Sequence, residues 1–296
     1  MNLNFKQITI EDRYIFETFF KSFPPLISEF TFTNLFIWNN SRRIRFAKYE
    51  SSLLIIAETS SETYFLPPIG QFNANEIAKV MFDYADKTNM LPEIRRADDR
   101  FSSELDRDLF SIDETPDHSD YIYNSSDLAN LPGRAFKNKR AFVRKFTSNY
   151  YHRYSVYDKS YKNKCLDLAE KRINSIENEG AEDYNPRNEF DALETFLNYY
   201  EYLLVNASVL LADNQVCAFT AGEPLNNETF VIHFEKADTT MEGSYQTINK
   251  VFIENEIHEN YKLVNREQDL GIPGIRKAKR SYNPTHLINK YTIKTK

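Results

Sequence analysis

TFVIHFEKAD, residues 229–238, and YKLVNREQDLGIPGIRKAKRSYNP, residues 261–284, decide how this chain folds. Each opens on an apolar run of strand length and ends in charged residues, so each reads as a buried strand whose far end carries polar chemistry. Alternation sets Val231, His233 and Glu235 on one face of the first strand, with Ile232 and Phe234 on the other. Glu235 and Lys236 then fall where that strand stops, and Asn265, Arg266, Glu267, Gln268 and Asp269 where the second one stops. Strand C-terminal ends are where open α/β sheets present ligand groups. Gly271-Ile272-Pro273-Gly274 enters a helix with Pro273 near its first position, followed by Arg276 and Lys279 one turn apart.

Around these stretches the second half reads as helix 190–205, a hairpin of 208–211 and 216–221 turning at Asp213-Asn214, strand 229–234, helix 244–258, strand 261–265, helix 274–281 and strand 286–293. The first half reads in the same order: helices 11–21 and 30–39, a hairpin of 44–48 and 53–58, strand 63–67, helix 75–88, strand 93–96, helix 102–109 and strand 121–124. Matching elements lie about 163 to 170 positions apart, which points to an internal duplication. Residues 165–186, acidic and ending in EGAEDYNP, read as a helix running into an exposed loop.

The chain has 296 residues, more than a usual single domain, and its aromatic content of 15% supplies a core that disordered chains lack. With 7 Gly and no phosphate-loop or dinucleotide fingerprint, Rossmann and P-loop nucleotide sites drop out. Cys165 and Cys217 form no CxxC, and Cys217 reads as a buried strand residue. The five histidines make no HxxxH or HExxH, so neither a metal nor another required cofactor is expected. No GxSxG elbow supports a covalent nucleophile. The start carries no signal-peptide pattern and no run of 18 apolar residues occurs, so the expected place is the cytoplasm.

Net charge is -6, but the charge is segregated. Residues 128–157 and 270–296 hold 14 of the 37 basic residues and none of the 43 acidic ones. Within GRAFKNKRAFVRKF, Lys137, Arg140 and Arg144 share one helical face, while Ala135, Phe142 and Phe146 line another. Such a basic amphipathic helix suits phosphate groups of a nucleic acid or of anionic lipid.

HFEKAD (233–238), Gly243-Ser244-Tyr245 and NREQDLGIPGIRKAKRSYNP (265–284) resemble the bacterial family named for the C-terminal part of phosphatidylglycerol lysyltransferase. FTNLFIW (32–38) and DYIYNSSDLANLPGRAFKNKRAFVRKF (120–146) are similar to its stand-alone cytoplasmic members, so the resemblance covers nearly the whole chain. It implies an α/β (α+β) protein of two tandem GNAT-like acyltransferase domains with mixed sheets, segmented as 1–125, a basic helix and connector over 126–189, and 190–296 with the active site. It also implies that the sheet splays between strands 229–234 and 261–265 to admit the acyl donor. GNAT enzymes that use CoA carry a Gln/Arg-x-x-Gly-x-Gly/Ala loop for its pyrophosphate, whereas 237–244 retains only Gly243.

The expected activity is therefore transfer of an aminoacyl group from aminoacyl-tRNA to an amine or hydroxyl acceptor on a lipid headgroup, peptide or small molecule. Acyl-CoA as donor is the alternative, and a non-catalytic nucleic-acid or anionic-surface binding module a further one. Glu235 or Asp269 would position or deprotonate the acceptor, and Tyr282 would protonate the leaving hydroxyl. Asn265 and Glu267 would bind the donor's amino group, Arg276 and Lys279 its terminal phosphate or the developing oxyanion, with His233 and Lys236 beside them. Lys137, Arg140 and Arg144 would carry the tRNA.

Overall fold

A computed structural model of the chain describes residues 3–176 and 185–296. It divides into two compact units, 1–120 with 288–296, and 121–287. Residues 126–176 and 185–189 of the expected connector fall in the second unit, and the stretch 177–184 of its expected loop lies outside the described residues.

In the first unit, β1 (Lys6–Gln7), α1 (Arg13–Ser22), α2 (Phe32–Ile37) and α3 (Asn39–Arg42) precede a meander of β2 (Arg45–Tyr49), β3 (Ser52–Glu58) and β4 (Thr63–Gly70). After it come α4 (Ala74–Thr88), β5 (Glu93–Ala97), α5 (Asp99–Ser102) and β6 (Phe110–Glu114). Leu53 to Ala57 of β3 are wholly buried, as expected of a central strand covered on both faces. Leu54 and Ile56 pack with Ile77, Ala78, Met81 and Phe82 of α4, whose start is capped by the Asn73 side chain. On the other side, Phe16 of α1 meets Phe46 of β2 edge-on at 4.9 Å.

The second unit runs through β7 (Asp120–Asn124), α6 (Ser125–Asn130), α7 (Lys137–Asn149), β8 (His152–Val156), α8 (Lys162–Ile176), α9 (Pro186–Tyr199), β9 (Asn206–Ala212), β10 (Gln215–Pro224) and β11 (Thr229–Ala237). It continues with α10 (Ser244–Phe252), β12 (Leu263–Asn265), α11 (Pro273–Arg280) and β13 (His286–Ile288), and the chain ends in β14 (Tyr291–Thr295). Asp213 and Asn214, both at positive φ, make the two-residue turn that joins β9 and β10. Cys217 of β10 is buried, as its sequence context indicates.

The sheets are ordered β1-β2-β3-β4-β5-β14-β6 and β8-β9-β10-β11-β12-β7-β13. Position for position they match: an antiparallel meander, then one parallel pair, β4 with β5 and β11 with β12, each spanned by one crossover helix. This is the duplication read from element order, with one difference. The strand beside each parallel pair is exchanged, since residues 121–124 enter the second sheet and residues 291–295 the first. The strand expected over 286–293 is accordingly two strands, β13 and β14, in different sheets. Three further expectations change: the stretch 103–109 of the helix expected over 102–109 is turns linking α5 to β6, the helix over 244–258 ends in a π-helical turn at Ile253–Ile257, and Ala135 lies outside α7, exposed.

Candidate active site

Strands β11 and β12 pair only from Thr229↔Leu263 to Val231↔Asn265. Beyond that point β11 continues to Ala237 along β10 while β12 has ended, so the sheet opens between them. Residue spacing along β11 breaks in this segment. Ala221 and Gly222 of β10 are consecutive, yet they face Phe234 and Ile232, which leaves His233 as the extra residue of a β-bulge. Gly222 is required opposite it, because a Cβ there would lie 2.1 Å from the Val231 carbonyl oxygen.

The bulge reverses the alternation read from the sequence. Phe230 and Ile232 pack with Phe252 of α10, whereas Phe234 meets Phe196 of α9 and Lys236 pairs with Glu189 of α9 at 2.6 Å. Glu235 therefore turns to the α10 side, where Asn249 donates to its Oε2 at 2.7 Å. Val231, His233 and Glu235 do not share the single face that strict alternation assigns them.

Three charged constellations result. In the first, Arg266, just past β12, donates to Glu235 Oε1 at 2.8 Å, and its guanidinium lies 4.7 Å from the Tyr282 ring and 5.6 Å from the Tyr123 ring. Burial works against the charge of Arg266, but the Glu235 carboxylate outweighs it and raises the guanidinium pKa further. Lys139 of α7 lies over the same Tyr282 ring, 3.9 Å from its centroid, with its Nζ donating to Ser281 Oγ at 2.7 Å. Burial and the nearby Arg266 bring the Lys139 ammonium down to about 8, against the pull of Glu235. Burial also pushes the Tyr282 phenol up, so it holds its proton at neutral pH.

In the second, His233 lies between two carboxylates, with Nε2 2.9 Å from Glu223 and Nδ1 2.9 Å from Glu267. Burial opposes protonation, but the two acids outweigh it and lift the imidazole to about 9. In the third, Asp269 accepts two bonds from Arg276, at 2.8 and 2.9 Å, one from the Tyr121 hydroxyl at 2.6 Å and one from the Gly271 amide at 2.9 Å. Burial would raise this carboxyl; the Arg276 and Tyr121 donors override it and hold it below the usual range.

Lys279 donates to the carbonyls of Arg266 and Glu267, and Asn265 Oδ1 accepts from the Glu267 amide at 2.7 Å. Together they shape the strand-end loop in which Glu267 and Leu270 sit at positive φ. The structure thus gathers Glu235 and Tyr282 around Arg266. It places Asn265, Glu267, Asp269, Arg276 and Lys279 in the adjoining loop frame, with His233 beneath the bulge and Lys236 toward α9. Asn249 and Lys139 had no role in the sequence reading, since neither lies near Glu235 in the chain. Arg266 stands within the quoted cluster, and its pairing with Glu235 is invisible until the strands adjoin.

On α7, Lys137 and Arg144 are exposed, while Arg140 donates to the Leu131 carbonyl. The other face of α7 buries Phe146 and rests on α10, where Gly243 at φ 93° faces the Phe142 carbonyl oxygen. A Cβ on Gly243 would lie 2.2 Å from that oxygen. The lone glycine of the loop is thereby explained by close helix approach.

In the first unit β4 and β5 also diverge, after Phe65↔Ile94, beside a cavity of about 250 Å³ walled by Phe23, Phe30, Phe72 and Phe101 with Arg100 and Asp98. Among the described residues no cluster of His, Cys, Asp and Glu is arranged to hold a metal ion, and no helix is long and apolar enough to cross a membrane.

A sequence model of the phosphatidylglycerol lysyltransferase C-terminal family matches residues 20–294. No curated protein sequence matches the chain significantly. Among solved structures, a conserved protein of unknown function from Bacteroides thetaiotaomicron VPI-5482 superposes with a TM-score of 0.91 at 30% identity over 100% of both chains. L-PGS from Bacillus licheniformis superposes at 0.68 with 14% identity, over 96% of this chain and 91% of that one. A tandem GNAT protein from the clavulanic acid biosynthesis pathway gives 0.53 at 7% identity over 98% of each. The last two share the fold, two GNAT-like units in tandem. With the family match spanning almost its whole length, the chain belongs to the phosphatidylglycerol lysyltransferase C-terminal family.

Proposed function

We propose that this protein transfers an aminoacyl group from a charged tRNA to an amine or hydroxyl acceptor, at the opening between β11 and β12 of the second unit. Membership of a lysyltransferase family supports the reaction class. The observation that carries the site is the Glu235–Arg266 pair, a carboxylate and a guanidinium held 2.8 Å apart at the point where the two strands part.

The acceptor's nitrogen or oxygen attacks the ester carbonyl carbon of the donor, and its proton passes to Glu235. Arg266 stabilises the oxyanion that develops on the carbonyl oxygen. The bond from the acyl carbon to the terminal ribose oxygen then breaks, and the leaving oxygen takes a proton from Tyr282, which is regained from Glu235 through solvent. Asp269, Arg276, Lys279 and Asn265 act as positioning residues for the loop that carries Arg266. The exposed Lys137 and Arg144 of α7 meet the phosphates of the tRNA, with Arg140 setting the helix against Leu131. No cofactor enters this reaction.

The loop before α10 keeps a single glycine, Gly243, set against the Phe142 carbonyl of α7, and this departure from a glycine-rich phosphate loop supports a tRNA donor over CoA. The acceptor is an amine or hydroxyl, on a lipid headgroup, peptide or small molecule. The test is a single-turnover assay with a mixed pool of charged tRNAs and, separately, acyl-CoA thioesters. Loss of the aminoacyl group from tRNA, abolished in Glu235→Gln of unchanged melting temperature, is expected. Turnover of thioesters alone, or full activity in Glu235→Gln, overturns the reading.

A further inference from the structure

The side chains around Glu235 carry a detail that the aminoacyl-transfer reading, on which this inference rests, does not require. Arg266 uses Nη2 and Asn249 uses Nδ2 to hold the two oxygens of the one carboxylate. The other polar atom of each, Arg266 Nη1 and Asn249 Oδ1, is buried with no hydrogen-bond partner among the described residues. Asn249 itself is only 1% exposed. Buried polar atoms in native proteins are nearly always paired, so two on neighbouring residues need an explanation. Turning the Asn249 amide over removes neither, since its oxygen would then face the Glu235 carboxylate and its NH2 would be the buried atom.

The two atoms differ in kind. Arg266 Nη1 can only donate and Asn249 Oδ1 can only accept. A partner that satisfies both must offer an oxygen acceptor and an N–H donor. An α-amino carbonyl group does this, with its carbonyl oxygen and amino nitrogen attached to adjacent carbons. A plain acyl group offers the oxygen but lacks the N–H.

We propose that Arg266 Nη1 and Asn249 Oδ1 together recognise the α-amino acyl group of the donor, the carbonyl oxygen on the guanidinium and the amino N–H on the amide oxygen. Glu235 holds both arms, one on each of its carboxylate oxygens. Any amino acid presents this pair of groups, so the clamp reads the aminoacyl class and leaves the choice of side chain to other residues. The same chemistry reaches the site from a charged tRNA or from a free aminoacyl compound, and the two sources are tested separately.

Isothermal titration of the full chain with the twenty amino acid amides tests the clamp, each amide being compared with its des-amino form, in which hydrogen replaces the α-amino group, and with the matched amine that lacks the carbonyl. At least one amide should bind, and either change should weaken it by about tenfold or more, the loss of one well-made hydrogen bond. Asn249→Leu should abolish the preference for the free amino group. If that variant does not fold, the ligand series on the unaltered protein still decides. Failure of every amide to bind, or equal binding of the des-amino form, overturns the clamp. Charged tRNA is titrated alongside, carrying either the amino acid or its des-amino acyl counterpart. Equal binding of the two forms overturns the clamp and leaves the donor reading intact, whereas amide discrimination without affinity for charged tRNA supports the clamp and overturns that reading.

Discussion

Gly243 faces the backbone carbonyl of Phe142 so closely that a Cβ would come within 2.2 Å of its oxygen. The contact joins α10 to α7 through backbone on the Phe142 side, which cannot swing away as a side-chain tip would. Gly243 also adopts φ 93°, a conformation costly for any L side chain. Gly243→Ala should therefore lower stability by about 3 kcal/mol, from strain and displaced helix packing together. Chemical denaturation checks this, and an unchanged midpoint would mean that α7 does not seat on α10 in this way.

His233 makes stability depend on pH. Its pKa rises from 6.5 to about 9 on folding, because Glu223 and Glu267 outweigh its burial. A group raised on folding contributes fully below its unfolded pKa and loses that contribution as pH climbs through the folded one. The chain should lose stability between about pH 6.5 and 9, by an amount on the order of a few kcal/mol. Melting temperatures of His233→Gln across that window should be lower at pH 6 and much flatter; a parallel curve would exclude the imidazolium.

Lys290 is fully buried in the first unit, with Nζ 2.6 Å from Glu29 and 2.7 Å from Asp120. Asp120 also accepts from the amide and hydroxyl of Ser28, at 2.7 and 2.9 Å. Lys290→Met would remove the cation shared by two buried carboxylates, and breaking such a cluster costs about 3–5 kcal/mol. Urea unfolding should show the first unit's transition at much lower denaturant, and a loss under 1 kcal/mol, the range of about 0–1 kcal/mol typical of exposed pairs, would contradict the arrangement.

Lys137 and Arg144 are exposed along α7. If this helix meets nucleic-acid phosphates, replacing both by Gln should weaken binding of charged and uncharged tRNA alike. The slope of log affinity against log salt should fall by roughly 1.5. Fluorescence anisotropy over a salt series measures it, and an unaltered slope would place the tRNA elsewhere.

Much of this protein was legible in local patterns. Period-two and period-3.6 hydrophobicity located most strands and helices, Asp213-Asn214 marked a hairpin, and the repeated order of elements indicated the duplication. The residues 229–238 and 265–284 also carried the family resemblance and the polar ends of the two diverging strands. These are properties of a residue and its near neighbours, and the chain states them directly.

Partnership between distant segments was not legible. Periodicity says that residues 121–124 and 286–293 are extended, but not that 121–124 and 291–295 each complete the sheet of the other half, because a strand's pattern names its buried face and leaves its neighbour open. The bulge at His233 is likewise a property of two strands in register, and one extra residue there moved Glu235 to the side of Asn249. The sequence by itself determined the fold family and the inventory of charged groups. Only the tertiary structure decided which charge meets which, because Glu235, Asn249, Arg266 and Lys139 become neighbours only once helices and strands far apart in the chain have packed.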